Sequence, residues 1–135
     1  MNKALERAVK ERSGGFCEYC RLPVSQTELT FSIDHVIARQ HGGATQYENL
    51  AFCCGFCNRH KGPNIAGIDP ESRKMVSIFN PRLQAWEDHF KWRGAIAVGI
   101  TPEGRATIAV LKINHRLQII ARRAVANEGR VLRDR

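Results

Sequence analysis

The chain has no long apolar run: no segment approaches the roughly 18 consecutive apolar residues that a membrane-spanning helix requires. Its first residues, Met1 to Arg7, are charged where a secretory leader would carry an apolar stretch. A soluble, cytoplasmic protein with no membrane partner is the expectation. Internal repeats and low-complexity stretches are also missing, which excludes repeat architectures. Acidic residues are scarce, with 13 Asp and Glu against 21 Lys and Arg for a formal net charge of +8. That imbalance points to a polyanionic partner, because each neutralised phosphate releases condensed counterions. A merely basic soluble protein is the plainer alternative. The length of 135 residues, 43% hydrophobic and 25% charged, fits one ordinary globular domain.

Cysteine is the residue in excess. Of the five, four form two pairs, Cys17-Glu-Tyr-Cys20 and Cys54-Gly-Phe-Cys57. A reducing cytosol disfavours disulfides, and paired Cys-x-x-Cys motifs are the zinc signature there. A thioredoxin-type redox pair would need a βαβ pattern that the chain lacks. Four anionic sulfurs around Zn²⁺ leave no coordination position for water, so the expected site is structural and its binding energy is folding energy. Cys53 is the odd one out, because pairing it with Cys57 would leave three residues between them. It reads as a small buried hydrophobe. The gap from Cys20 to Cys54 exceeds that of a simple zinc ribbon, so something is inserted between the two halves of the site.

Hydrophobic periodicity predicts a helix over Lys3 to Arg12, stopped by Ser13-Gly14-Gly15. A strand is expected over Thr30 to Ile37, then a glycine loop at His41 to Ala44. Glu48 to Phe52 should re-enter the core, and Cys54 to Lys61 should begin a short helix that Gly62-Pro63 ends. Beyond this, Asn64 to Ser72 reads as a turn-rich connection and Met75 to Phe79 as a strand. Phe90 to Trp92 and Ala95 to Ile100 read as two strands joined at Arg93-Gly94. Thr101-Pro102 should start a helix to about Lys112. Asn114 should cap a last helix over His115 to Asn127, with Leu117, Ile120, Ala121, Ala124 and Val125 as its apolar stripe. The tail from Gly129 is expected to fray.

Between the cysteine pairs lie Phe31-Ser-Ile-Asp34-His35-Val36-Ile37, then Gly42-Gly43, then Glu48-Asn49-Leu50. Cys54-Gly-Phe-Cys57-Asn58-Arg59-His60-Lys61-Gly62 follows. Over Phe16 to Gly62 this order resembles the HNH endonucleases, in the zinc-stapled branch of the His-metal finger nucleases. The resemblance implies a ββα fold and metal-dependent hydrolysis of phosphodiester bonds in DNA, with RNA not excluded and no small-molecule cofactor. It implies His35 as general base, and Asp34 and Asn58 as oxygen ligands of one Mg²⁺ or Mn²⁺. Asn49 is implied to tie down the loop that orients His35. Arg59 and Lys61 are candidate phosphate clamps, with solvated helix charges as the alternative, and His60 is a weaker candidate because two residues beyond Asn58 it is expected to project elsewhere. Adjacent strand residues face opposite sides, so Asp34 and His35 are expected where the strand bends. A zinc module that binds nucleic acid without cutting it is the competing function, and Asp34, His35 and Asn58 discriminate, since a pure binder needs none of them.

The expected fold is thus α+β: a zinc-stapled ββα-metal finger with an N-terminal helix over residues 1–63, and a C-terminal strand and helix extension over 64–135 packed on it. Phe79-Asn80-Pro81-Arg82 with Trp86, His89, Phe90 and Trp92 is similar to the tail of small bacterial HNH proteins. Physically these aromatics suggest a second core beside the small finger, with base stacking as the alternative. Arg116, Arg122 and Arg123 suggest a basic helix face. His41, His89 and His115 carry no expected catalytic role.

Overall fold

The computed structural model describes residues 1–24 and 30–127; the expectation of a frayed tail falls outside them. Helix α1 spans Lys3–Ser13. The Asn2 side chain accepts a hydrogen bond from the Leu5 amide at 2.7 Å, satisfying one of the free donors of the first turn. Gly14, at φ 69°, closes the helix in the left-handed conformation. The buried face of α1 presents Val9 to Leu50 and Phe52 of the following hairpin, with Leu5, Val24, Phe31 and Ile33 packed around them.

That hairpin pairs β1 (Phe31–His35) with β2 (Leu50–Cys54) antiparallel, in register from Phe31↔Cys54 to His35↔Leu50. Every residue of β2 is buried, because α1 covers one face and the rest of the molecule the other. Helix α2, Gly55–Lys61, follows without a linker. Cys54 ends the strand and caps the helix at once, its Sγ accepting from the Cys57 amide at 3.4 Å. Strand, strand and helix thus form one ββα unit.

The second half adds two further hairpins and two helices. Strands β3 (Ala66–Ile68) and β4 (Met75–Ser77) pair with each other. The first of these lies where the sequence suggests only a turn-rich connection, its three residues being too short to show a period. Asp69 organises the turn beyond it, accepting from the Glu71 and Ser72 amides at 3.1 Å each. Strands β5 (Phe90–Arg93) and β6 (Ile96–Gly99) follow. Helix α3, Pro102–Leu111, starts on the Thr101 hydroxyl. Gly104 survives inside it because α3 lies directly on the chain before it: a Cβ there would stand 2.2 Å from the His89 carbonyl oxygen.

Helix α4, Arg116–Asn127, differs from its expected orientation. Leu117 and Ile120 are 57% and 54% exposed, whereas Gln118, Arg122 and Val125 are buried. Polar groups turn inward because the core offers them partners. Arg122 donates from Nε to the Ala95 carbonyl at 2.8 Å and from Nη2 to Asn114 Oδ1 at 3.1 Å, so it does not belong to a basic surface. Asn114 does not cap α4 either; its carboxamide pairs with both backbone groups of Ala97. The cap is His115, whose Nδ1 accepts from the Leu117 amide at 3.1 Å.

The aromatics of the extension form no second core. Phe79, Trp86 and Phe90 belong to the same buried cluster as Cys17, Tyr19, Cys54, Phe56 and Val125. Trp86 stacks on Phe90 at 4.9 Å and donates its indole N–H to the Tyr19 carbonyl, between the first two cysteines, at 2.9 Å. A polar handle on a large apolar body allows this use of tryptophan. Among the described residues no helix is long and apolar enough to cross a membrane.

Candidate functional site

Cys17, Cys20, Cys54 and Cys57 converge with their sulfurs all within 4.8 Å of one another, and all four are buried. The first pair sits on a tight knuckle closed by the Arg21 amide donating to the Cys17 carbonyl at 2.9 Å. The second sits at the β2–α2 junction. Amide donors already face the sulfurs, from Cys20 to Cys17 and from Cys57 to Cys54, each at 3.4 Å. Gln118 of α4 adds a carboxamide at 3.5 Å from Cys20 Sγ and 3.8 Å from Cys54 Sγ. Such donors stabilise thiolates, so the donor set and its surroundings suit one zinc ion. Cys53, one residue earlier in the strand, stays outside the cluster.

Asp34 is buried at the end of β1. One carboxylate oxygen, Oδ2, accepts from the Tyr19 hydroxyl at 3.0 Å and lies 3.0 Å from Lys61 Nζ. The other, Oδ1, has no hydrogen-bond partner among the described residues. Burial raises the Asp34 pKa against the opposing pull of Lys61 and Tyr19. The Tyr19 hydroxyl, itself fully buried, is pushed up by desolvation and by Asp34 and remains a donor. Lys61 also donates to the His35 carbonyl at 3.1 Å and is only 1% exposed. A pairing of Lys61 with Arg59 on the phosphate-facing surface is therefore corrected: the short helix turns Lys61 inward, where a buried carboxylate needs a counter-charge.

His35 ends the strand, half-buried, opposite Leu50. Its Nε2 lies 2.8 Å from the Thr45 hydroxyl. The loop carrying Thr45 is fixed by Asn49, which accepts from the Ile37 amide at 2.9 Å and donates to the Ile37 and Ala44 carbonyls at 3.0 and 2.9 Å. Gly43 is required for this closure, since a Cβ would fall 1.7 Å from the Ile37 carbonyl oxygen. Glycine serves here by size rather than by backbone conformation.

Asn58 and Arg59 project from the middle of α2, half-buried and exposed respectively. No described residue hydrogen-bonds the Asn58 carboxamide. Arg59 lies over the Phe56 ring at 5.8 Å. His60 turns its Nδ1 to the Phe56 carbonyl at 2.9 Å and packs on the same ring at 4.3 Å, so one of its nitrogens is engaged within the helix. The hairpin and α2 thus bring Asp34, His35, Asn49 and Asn58 into one unit, with Lys61 beneath it.

Residues 17–64 match the family model described as HNH endonuclease. The matched segment contains all four clustered cysteines together with Asp34, His35, Asn49 and Asn58. No curated protein and no solved structure matches the chain.

Two residues of this environment carry no sequence signal of their own, and a third carries a faint one. Tyr19 is hidden as a variable position inside a Cys-x-x-Cys pair. Thr45 is an ordinary loop threonine, and only its place soon after Gly42-Gly43 sets it near His35. Gln118 does leave a trace, as a polar residue interrupting the apolar spacing of α4.

Proposed function

We propose that the protein is a metal-dependent endonuclease that hydrolyses phosphodiester bonds of DNA, with His35 as general base. The observation that carries this reading is the asymmetry at the end of β1. Asp34 spends one oxygen on Tyr19 and Lys61 and keeps the other unbonded, while His35 beside it has Nε2 engaged by Thr45. With Nε2–H donating to the Thr45 hydroxyl, the Nδ1 lone pair is available to take a proton from an attacking water. Asn49, by fixing the loop, holds Thr45 in place for that contact.

The hard oxygens of Asp34 Oδ1 and Asn58 fit a divalent cation such as Mg²⁺ or Mn²⁺. When bound, such an ion supplies charge neutralisation at the phosphodiester. Lys61 holds the Asp34 carboxylate ionised and oriented. Arg59, exposed on the same helix, contacts backbone phosphates and contributes affinity without sequence information. The four-cysteine site is structural: it joins the knuckle to the start of α2 and fixes Asn58, the residue after Cys57, relative to β1. The net charge of +8 is in keeping with a nucleic-acid partner.

The test incubates supercoiled plasmid with the zinc-loaded protein and Mg²⁺ or Mn²⁺, with EDTA as control, beside His35→Ala. Wild type should nick or linearise the plasmid, and His35→Ala should be slower by about 10²–10⁴-fold with unchanged zinc content. Equal amounts of intact plasmid for both proteins under every metal condition would rule out the catalytic reading and favour a binding module.

A further inference from the structure

A cavity of about 210 Å³ opens where α1, the cysteine knuckle and the Asn80–Trp86 segment meet. That is the volume of several water molecules at about 30 Å³ each. Three guanidinium groups line it from three separate segments: Arg12, Arg21 and Arg82. The Nε atom of each is buried and has no hydrogen-bond partner.

Arg12 and Arg82 are otherwise engaged. Both donate to the Leu50 carbonyl, Arg12 also to the Tyr47 carbonyl and Arg82 to Glu18. Arg21 is different. It is 5% exposed, and none of its guanidinium nitrogens hydrogen-bonds any described residue. The guanidinium lies over the Trp86 ring, at 5.4 Å. A permanently charged group in such burial is costly unless an anion answers it.

The carboxylates nearby do not supply that answer. Glu18 is saturated, with Oε2 accepting from the Phe52 amide at 2.8 Å and Oε1 from Arg82. Glu87 is exposed at the mouth. The sulfurs of Cys17 and Cys20 attract Arg21 electrostatically but accept no hydrogen bond from it. Arg21 also has φ 66°, a left-handed conformation that L-residues rarely adopt and that glycine would take freely. The knuckle thus carries a long cationic side chain at a position whose backbone favours none.

We propose that this cavity is an oxyanion site that takes a phosphate group, with Arg21 as its principal ligand and Arg12 and Arg82 beside it. The planar guanidinium, with unpaired Nε–H and Nη–H donors on one edge, matches two oxygens of a phosphate. Two sources share that chemistry: a phosphate at the end of a nucleic-acid strand, and free inorganic phosphate. The site stands independently of the nuclease reading, since an oxyanion pocket exists whether or not Asp34 and His35 cut a strand.

The test follows the arginine Nε–Hε resonances of the zinc-loaded full chain by ¹H–¹⁵N correlation. Sodium phosphate is titrated against sodium chloride at matched ionic strength. The Arg21 resonance should move saturably with phosphate and not with chloride. Arg21→Gln should bind phosphate at least about tenfold more weakly, as expected for loss of a charge-assisted hydrogen bond. A 5′-phosphorylated oligonucleotide that displaces phosphate, where its unphosphorylated counterpart does not, assigns the site to strand ends; failure of both to displace it assigns the site to the free ion. Equal shifts with phosphate and chloride, or an Arg21→Gln variant that titrates like wild type, would overturn the proposal. If Arg21→Gln does not fold, the wild-type titration decides alone.

Discussion

Lys61 offers the sharpest test of how this site is built, because its two possible roles predict different measurements. A phosphate clamp on the surface contributes little to folding, and its removal weakens nucleic-acid binding and lowers the salt dependence of that binding. A buried counter-ion behaves otherwise. Lys61 is 1% and Asp34 7% exposed, their charged atoms are 3.0 Å apart, and the ammonium also satisfies the His35 carbonyl. Lys61→Ala would leave the Asp34 carboxylate buried with only the Tyr19 hydroxyl. Breaking one side of such a pair costs about 3–5 kcal/mol, against about 0–1 kcal/mol for an exposed pair. Domains of this kind are stable by only about 5–15 kcal/mol. With a urea dependence of about 2 kcal/mol per molar, the denaturation midpoint of the zinc-loaded protein should fall by about 2 M. The double variant with Asp34→Asn should recover much of the loss, since the pair would leave no charge behind. A midpoint shift below about 0.5 M, or strictly additive effects in the double variant, would refute the buried-pair account.

Two other predictions concern the extension. Gln118→Leu keeps the bulk of the side chain but removes the donor to Cys20 and Cys54 Sγ; zinc affinity measured by chelator competition should fall about 10–100-fold, and an unchanged affinity would dissociate α4 from the metal site. Asp69, inaccessible to solvent and paired with Arg105 at 2.9 and 3.0 Å, has its pKa lowered chiefly by that partner. A lowered native pKa makes the contribution full above the unfolded value of about 3.9 and lost as pH falls through the native one. The difference in melting temperature between wild type and Asp69→Asn should therefore be constant near neutrality and shrink below about pH 4; a constant difference down to acid pH would count against the pair.

The finger was legible because its constraints are local. Cysteine spacing, the Asp34-His35 dipeptide, Gly42-Gly43 and Asn49 each state a geometric need at a fixed offset, and β1, β2 and α2 follow from them. The extension was legible as elements but not as packing. Period alone orients α4 by Leu117 and Ile120, yet tertiary partners reward Gln118 and Arg122 with sulfurs and a carbonyl, and the helix rotates toward them. Lys61 misleads for the same reason: a lysine on a short helix reads as surface until a carboxylate in another element is known to lie below it. The separate core expected of Phe79, Trp86 and Phe90 fails because the Trp86 indole seeks a carbonyl, and the knuckle offers one.

That indole contact bears on how freely the finger can be moved between proteins. Trp86 grips the Tyr19 carbonyl, and the Tyr19 hydroxyl grips Asp34, so two contacts connect the tail to the carboxylate. The Trp86 segment, which lies outside residues 17–64, is thereby linked to Asp34 Oδ2 through the one residue Tyr19. The carboxylate of the finger is therefore set in part by a residue outside the finger. Grafted alone the finger would keep its sulfurs and its dipeptide and lose the reference against which Asp34 is set.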